Sequence, residues 1–416
     1  MSAAKPFAID KWQVYEAYQA VKANAGSAGV DQQSIEDFEK DLKGNLYKIW
    51  NRMSSGSYMP PPVKAVAIPK KNGGERILGV PTVSDRIAQS VVKGVIEPKL
   101  EAVFLPDSYG YRPGRSALDA VGVTRARCWQ YDWVLEFDIT GLFDNIDHTL
   151  LQKALTKHVD CAWAMLYIGR WLTAPLQLED GTLVERNRGT PQGGVVSPVM
   201  ANLFMHYTFD VWMRRTFPDT PWCRYADDGL VHCRTEREAQ AIMAALDARL
   251  AQCGLQMHPD KTQIVYCKDG SRKGTYPNTQ FDFLGYTFRA RTVKNTKRNS
   301  LFVSFTPAVS SKAVTAMRQK TRKLNYRNRT DLSLADIARL HNPLLRGWLE
   351  YYGKFCRSAM YPVLRHFNKT LVAWAMKKYR RLKGHKIRAS RFLERLAEEK
   401  PYLFVHWQRG MVGAFA

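Results

Sequence analysis

The apolar segment Trp133–Ile139 constrains the fold of this chain more than any other, because it reads WVLEFDI and places Asp138 at its end. Such a run of aliphatic and aromatic residues is typical of a strand buried in a sheet. A carboxylate at the end of a buried strand is costly unless a cation or a hydrogen-bond network meets it. The segment therefore predicts a sheet with a polar site at one edge.

A second acidic site follows in the segment 222–233, where WCRY and LVHC flank the tetrapeptide ADDG. This pattern predicts a β-hairpin with Asp227 and Asp228 at its tip, although Asp-Asp-Gly alone is also an ordinary turn signal. If the hairpin lies beside the strand that carries Asp138, three carboxylates converge. Three oxygen donors at one point suit hard divalent ions, Mg²⁺ above all, as in sites for phosphoryl transfer.

Hydrophobic periodicity predicts an α+β body around these segments. A strand–turn–strand pattern spans 63–80, with Lys70, Lys71 and Arg76 near its tip. The remaining segments before residue 260 are predicted to be mostly helical. They are 1–60, 82–130 (with a loop at 106–116), 148–175, 196–216 and 236–253.

The positive charge is concentrated at the end of the chain. Residues 286–416 contain 29 Lys and Arg against 6 Asp and Glu, a net charge of +23, whereas the first 285 residues have a net charge of +1. Leucine and tryptophan at helical spacing after about residue 290 predict a mostly helical, basic module. Such asymmetry indicates a polyanionic partner, most commonly nucleic acid, with an anionic membrane surface as the alternative.

Other features exclude several classes of protein. The seven cysteines are scattered and never spaced C-x-x-C, which predicts reduced thiols without a disulfide framework or zinc site. The longest uncharged run, 189–209, is interrupted by Pro191, Gly193, Gly194, Pro198 and Asn202, and so predicts no membrane span. No apolar leader opens the chain, and we expect a cytoplasmic location.

The order of several motifs resembles one family across residues 20–400. FDITGLFDNID, RGTPQGGVVSP and YADD resemble the first acidic, template-positioning and second acidic motifs of reverse transcriptases. IPKKNGGERILGVPT resembles the fingertip block, and HPDKT and FLGY resemble the two blocks after YADD. YRPGRS and GWLEYY are most similar to the group II intron-encoded reverse transcriptase/maturase family, in the form that lacks a C-terminal DNA endonuclease domain.

The resemblance implies a right-hand polymerase with fingers and palm, a helical thumb and a small basic C-terminal DNA-binding unit. The implied segments are an N-terminal extension (1–60), fingers and palm (61–290), a thumb or maturase domain (291–375) and a basic tail (376–416). The implied activity is RNA-directed DNA polymerisation with two Mg²⁺ ions, for which Mn²⁺ can substitute. The implied partners are an RNA template, a DNA or RNA primer, dNTPs and structured group II intron RNA, without a membrane.

Site residues carry over from the matching motifs. Asp138, Asp227 and Asp228 are implied to be catalytic, and these three with Ile139 to bind the metal ions. The implied dNTP contacts are Lys70 and Arg76 at the triphosphate, Phe143 beneath the sugar, and Gln192 at the nascent base pair. Lys261 is a candidate general acid for the pyrophosphate, and Tyr225, Leu284 and Gly285 are implied to lie at the primer end.

Each assignment has a structural alternative. The two fingertip cations and Lys261 could be solvated surface charges, Phe143 an ordinary core residue, and the segment around Gln192 a plain loop. Three functions also remain open: an intron-encoded reverse transcriptase and maturase, a free-standing relative acting as a DNA polymerase in repair or defence, and a splicing cofactor with an idle polymerase site. The RNA partner, natural primer, template preference, oligomeric state and host remain open as well.

Overall fold

A computed structural model describes residues 5–69, 74–295 and 298–411. They form two compact units. The first contains the described residues of Met1–Ala120 and Leu135–Ile264, and the second those of Val121–Val134 and Val265–Ala416. The division into four segments made from the sequence stays a prediction.

Helices and strands both contribute to the fold, which confirms the α+β prediction at the level of a mixed helix and sheet protein. The helices are α1 Lys11–Asn24, α2 Ile35–Glu39, α3 Leu42–Ser54, α4 Val83–Glu101, α5 Ala117–Cys128, α6 Leu142–Asn145, α7 His148–His158, α8 Ala162–Thr173, α9 Ser197–Met205, α10 Val211–Thr216, α11 Glu236–Gln252, α12 Ser311–Lys323, α13 Leu334–Tyr352, α14 Tyr361–Lys378, α15 Lys386–Glu399 and α16 Val405–Gln408. The strands are β1 Val63–Pro69, β2 Glu75–Val80, β3 Trp133–Phe137, β4 Leu176–Gln177, β5 Leu183–Val184, β6 Trp222–Tyr225, β7 Asp228–Cys233, β8 Gln263–Tyr266, β9 Gln280–Phe283, β10 Tyr286–Asn295 and β11 Ser300–Val309.

Local signals explain where several helices begin. Asp10, Ser34 and Thr82 each accept a hydrogen bond from a backbone N–H in the first turn of α1, α2 and α4, which satisfies one of the donors left free at a helix start. In α11, Ala239, Ile242, Leu246 and Leu250 are buried at helical spacing, as the amphipathic pattern predicts.

The predicted strand–turn–strand segment forms an antiparallel pair, in which Lys64 of β1 faces Val80 of β2 and Pro69 faces Glu75. Strands β4 and β5 extend this pair into a sheet of order β2-β1-β4-β5. The tip of the pair, which includes Lys70 and Lys71, lies outside the described residues.

A second sheet positions the acidic residues. Its order is β6-β7-β3-β8, so the predicted strand β3 lies directly beside the predicted hairpin β6–β7. The rings of Phe137 and Trp222 both pack against Phe209, at centroid distances of 5.0 and 5.2 Å. All three side chains are buried, so strands β3 and β6 of this sheet pack against a rigid aromatic core.

The prediction of a mostly helical segment after about residue 290 is wrong up to residue 309. Strand β10 continues to Asn295 and pairs with β11, and helices begin only with α12. The helical periodicity that led to this prediction lies farther along the chain, in α13 and α14. The strands β10 and β11 are held together by cross-strand hydrogen bonds, which local sequence periodicity does not reveal.

A continuous hydrophobic core runs through the helices α12 to α16 of the second unit. Leu345 of α13 and Trp374 of α14 belong to it, and so do Leu393 of α15 and the fully buried Phe404 and Trp407. The described end of the chain is therefore built into the same core as α13 and α14, and the predicted boundary at 375/376 does not interrupt this packing.

The remaining expectations concern thiols and membranes. The seven cysteines are free, and all but the partly buried Cys161 and Cys356 are buried. No helix in the described part of the chain combines the length and the apolar character that a membrane crossing requires. The cytoplasmic location stays a prediction.

Candidate active site

The backbone holds Asp138 at the end of β3. His258 N donates to the carbonyl of Asp138 (2.8 Å), and Thr140 N donates to the carbonyl of Gln256 (2.9 Å). These two bonds flank the antiparallel bridge between Ile139 and Met257. In a bridge of this kind the N–H and C=O of the central residue point away from its partner. The carbonyl of Ile139 therefore faces away from Met257, while Asp138 itself is buried.

A tight turn presents the other two carboxylates. Tyr225 pairs with Asp228, so that Ala226 and Asp227 form a two-residue turn. Ala226 has a φ of +58°, a left-handed conformation that usually calls for glycine or asparagine in a hairpin turn. Because alanine is strained there, the surrounding contacts must fix the turn.

A buried ion pair supplies part of that support. Arg224 is completely buried and donates to both carboxylate oxygens of Asp210, at 2.7 Å each. Its guanidinium also donates to the carbonyl of Ala226 (2.9 Å) and to Oγ of Ser108 (2.8 Å). One side chain thus ties the acidic turn to the loop that contains Ser108, a role that the sequence motif did not reveal.

The three predicted carboxylates converge. Asp228 lies near enough to Asp227 and Asp138 for their negative charges to act on its carboxyl group. Burial, followed by the negative charges of Asp227 and Asp138, raises the pKa of Asp228 well above the usual range of a carboxyl group. Burial is also the main cause that raises the pKa of Asp227, and the charge of Asp138 adds to it. The cluster is therefore short of positive charge.

Lys261 supplies the cation that directly contacts this cluster. Its Nζ donates to Oδ2 of Asp138, and this hydrogen bond is the main cause that raises the pKa of Lys261. The ammonium group consequently stays protonated while it is paired with Asp138. The sequence placed Lys261 near the site as a candidate acid, and the structure adds its carboxylate partner.

The donor set is that of a site for a hard cation. Carboxylate oxygens and a backbone carbonyl are the ligands that Mg²⁺ prefers. Within residues 5–69, 74–295 and 298–411, however, no group of three His, Cys, Asp or Glu side chains stands in a metal-holding arrangement. The pairing of Asp138 with Lys261 explains why these carboxylates do not form such an arrangement. The ammonium group occupies a carboxylate oxygen that a metal ion would otherwise bind.

Arg76, Gln192 and Asp144 form a chain of side-chain hydrogen bonds. Arg76 Nε donates to Oε1 of Gln192 (2.5 Å), and Gln192 Nε2 donates to Oδ2 of Asp144 (3.1 Å). The sequence predicted separate roles for the first two residues, and the structure joins them across 116 positions. Lys70, the other predicted triphosphate contact, lies outside the described residues.

The loop that carries Gln192 approaches its neighbours closely. A Cβ added at Gly193 would lie 2.4 Å from the carbonyl oxygen of Gly79, and Gly193 has a φ of +123°. A Cβ added at Gly189 would lie 2.7 Å from the carbonyl oxygen of Asp144. Glycine is therefore required at both positions. These close approaches fix the backbone on both sides of Gln192.

Gln89, which the sequence did not single out, supports the same loop. Its Oε1 accepts hydrogen bonds from Val195 N (2.7 Å) and Val196 N (3.3 Å), and its Nε2 donates to Asp85 (2.9 Å). The buried Asp85 also accepts from Tyr58 and Trp171, at 2.9 and 2.7 Å. Gln89 thus connects the loop to a fully buried polar network.

Phe143 is 9% exposed and lies in the short helix α6, where its carbonyl accepts a hydrogen bond from Thr190 N (2.7 Å). Its ring meets that of Tyr111 edge-on, with centroids 6.4 Å apart. Tyr111 was not predicted to be a site residue, although the signal that could have found it is its place in YGYRPGRS.

The predicted primer-end residues lie in two places. Tyr225 is half-buried at the end of β6, in the first unit. Leu284 and Gly285 form the turn between β9 and β10 in the second unit, with φ values of +51° and +80°. Their role at a primer end stays a prediction.

Comparisons with known proteins agree with these features. Residues 68–288 match the family described as reverse transcriptase (RNA-dependent DNA polymerase), and residues 314–392 match the maturase-specific domain of group II introns. Protein YkfC of Escherichia coli is 29% identical over 59% of this chain and 74% of its own length. Group II intron-encoded protein LtrA of Lactococcus lactis is 36% identical over 46% of this chain. The matched region spans only 32% of LtrA.

Proposed function

The chain belongs to the reverse transcriptase family, with the maturase-specific domain of group II intron proteins, and on this premise we propose how its residues act. It adds dNTPs to the 3′-end of a DNA or RNA primer, directed by an RNA template, and releases pyrophosphate. The observation that carries this proposal is the convergence of Asp138, Asp227 and Asp228 from a strand end and a hairpin turn.

Two Mg²⁺ ions are the proposed cofactors, held by these three carboxylates and the carbonyl of Ile139, with Mn²⁺ able to substitute. Such ions lower the pKa of the attacking 3′-hydroxyl and neutralise charge on the leaving pyrophosphate. Burial and the charges of Asp227 and Asp138 raise the pKa of Asp228, and a cation bound in the cluster would relieve the repulsion between these charges. The protein's contribution is to hold three acidic groups close together before the cation arrives.

The remaining residues handle the nucleotide. Arg76 donates hydrogen bonds to the triphosphate, as a guanidinium does well, with Gln192 orienting it and contacting the nascent base pair. Phe143 lies beneath the sugar, where its ring excludes a ribose 2′-hydroxyl. Lys261 donates a proton to the leaving pyrophosphate. For this step the Lys261 ammonium group has to break its hydrogen bond with Asp138. Tyr225 is the proposed primer-end residue of the first unit, and Leu284 and Gly285 are those of the second.

Asp227→Asn tests the proposal, because it keeps the size of the side chain and removes a charge that the cations need. Primer extension should fall by several orders of magnitude, with RNA binding retained. Asp247→Asn, in an exposed part of α11, is the matched control and should extend primers normally. Substantial extension by pure Asp227→Asn protein would refute the assignment of this residue.

The match of residues 314–392 to the maturase-specific domain favours a second function, binding of group II intron RNA to aid splicing and insertion. The net charge of +23 after residue 285 suits a structured RNA partner. Splicing of a group II intron RNA in vitro, with and without the protein, tests this function. Polymerase activity without any preference for intron RNA over another folded RNA of equal length would favour a free-standing relative.

A further inference from the structure

Tyr111 has an unusual combination of backbone and side-chain features. Its φ is +56°, a left-handed conformation that costs free energy for an aromatic residue. Tyr111 is 49% exposed, in a loop between α4 and α5 in which the nearby Tyr109 is buried. A strained and exposed aromatic residue persists only where the surrounding structure imposes its conformation.

The residues on either side of Tyr111 are fixed by buried contacts. The carbonyl of Gly110 accepts a hydrogen bond from Asn202 (2.6 Å), and a Cβ at Gly110 would lie 2.5 Å from the backbone nitrogen of Ala226. The buried Arg112 donates to the carbonyls of Leu105 and Ser108, at 2.6 Å each. The loop is therefore locked against the acidic turn.

The surroundings of the ring identify what it faces. Phe143 meets it edge-on, with an angle of 81° between the ring planes. Burial raises the pKa of Tyr111, the charges of Asp227 and Tyr225 raise it further, and Arg76 lowers it. The phenol consequently lies in the electrostatic field of the catalytic acid and of the residue that grips the triphosphate.

We propose that Tyr111 is a further specificity-determining residue, whose ring forms an aromatic corner with Phe143 and contacts the sugar of the incoming nucleotide. This inference rests on the proposed polymerase function. Phe143 bounds the sugar from one side, and the edge-on ring of Tyr111 bounds it from a second. The sugar then loses freedom in two directions, so that both rings contribute to dNTP affinity and to selection against ribose.

Tyr111→Asn tests the proposal, because asparagine adopts left-handed backbone conformations readily and so removes the ring without adding strain. Steady-state extension of a primer on an RNA template gives KM and kcat for dNTP and rNTP. We expect the KM for dNTP to rise about tenfold in Tyr111→Asn, because the variant loses one aromatic contact with the nucleotide. The ratio of rNTP to dNTP incorporation should also rise, while the Kd for template–primer stays the same.

Tyr111→Phe separates ring from hydroxyl and should raise KM much less than Tyr111→Asn. Combining Tyr111→Asn with Phe143→Ala should give a smaller change in selectivity than the product of the single changes, because both rings bound one sugar. Tyr111→Gly, which also suits a positive φ, replaces Tyr111→Asn if that protein fails to fold.

Two results would overturn the proposal. One is an unchanged KM for dNTP in folded Tyr111→Asn, and the other is a change confined to the Kd for template–primer, which would make the ring a template contact. Equal damage by Tyr111→Phe and Tyr111→Asn would also reject the ring contact. If the wild-type protein extends no primer, the proposed function fails instead, and the two failures are distinguishable.

Discussion

A Cβ atom added at Gly229 would lie 2.1 Å from Cζ of Phe137, so the aromatic ring of β3 occupies the space that any side chain at Gly229 would need. These residues adjoin two of the clustered carboxylates, because Phe137 precedes Asp138 and Gly229 follows Asp228. The Phe137 ring is buried and packs against Phe209 at 5.0 Å, so it has no free space to move into. The contact between them therefore sets how closely two carboxylates approach.

Gly229→Ala should lower the free energy of unfolding by about 1–3 kcal/mol, the usual cost of overpacking a core, and should reduce primer extension. The physical reason is that β3 and β7 must separate, which moves Asp138 away from Asp228. Denaturant unfolding and primer extension at several Mg²⁺ concentrations measure the two effects. Phe137→Leu in the same chain should restore part of both, and complete additivity of the two changes would contradict a direct contact.

Gln89→Leu should loosen the loop that carries Gln192. The substitution leaves the N–H groups of Val195 and Val196 without their acceptor, at a cost of about 1–3 kcal/mol, and Asp85 loses one donor. We expect misincorporation to rise more than the overall rate falls, because Gln192 is proposed to contact the nascent base pair. Gln240→Leu, on an exposed face of α11, is the matched control. Unchanged misincorporation in folded Gln89→Leu would leave Gln89 a structural residue only.

Phe143→Ala should raise rNTP incorporation relative to dNTP incorporation tenfold or more, about 1.4 kcal/mol of discrimination. The reason is steric, because the ring is proposed to fill the volume that a 2′-hydroxyl would need. Competitive incorporation of the two nucleotides gives the ratio directly. Leu142→Ala removes the neighbouring buried side chain and should lower stability without changing this ratio. An equal effect of both substitutions would make Phe143 an ordinary core residue.

The exposed basic face of α15 should supply part of the affinity for nucleic acid. An open groove of about 990 Å³ is lined there by Lys386, Arg388, Arg391 and Arg395, together with Glu394 and Glu398. Changing the three arginines to glutamine should flatten the slope of log Kd against log salt by about 2–3, because each neutralised phosphate contributes roughly 0.7–0.9. Binding of template–primer at four or five salt concentrations measures the slope.

Point changes are preferable to removal of residues 377–416, because Phe404 and Trp407 are part of the core of the second unit. The matched control neutralises three exposed cations of the first unit, at Lys153, Arg215 and Arg237. Equal slopes for the α15 variant and the wild type would show that these arginines coat a solvated surface.

The sequence by itself determined the parts of this protein that depend on local pattern and motif order. Alternating and apolar runs predicted the strand before Asp138 and the hairpin around Asp227, and helical spacing predicted α11 and α13. Motif order identified the family, which the matches over 68–288 and 314–392 confirm. These features can be predicted from the sequence because each depends on residues that are near one another in the chain.

Only the tertiary structure decided which distant residues meet. Gln89 reaches Val195 across 106 positions, and Arg76 reaches Gln192 across 116. The ring of Phe137 fills the place of a side chain at Gly229, and the strained Tyr111 is set against Phe143. Neither strand β11 nor the packing of α12 to α16 around one core was predicted from the sequence. Periodicity records which face of an element is buried, but the partner on that face is chosen by packing between segments far apart in sequence.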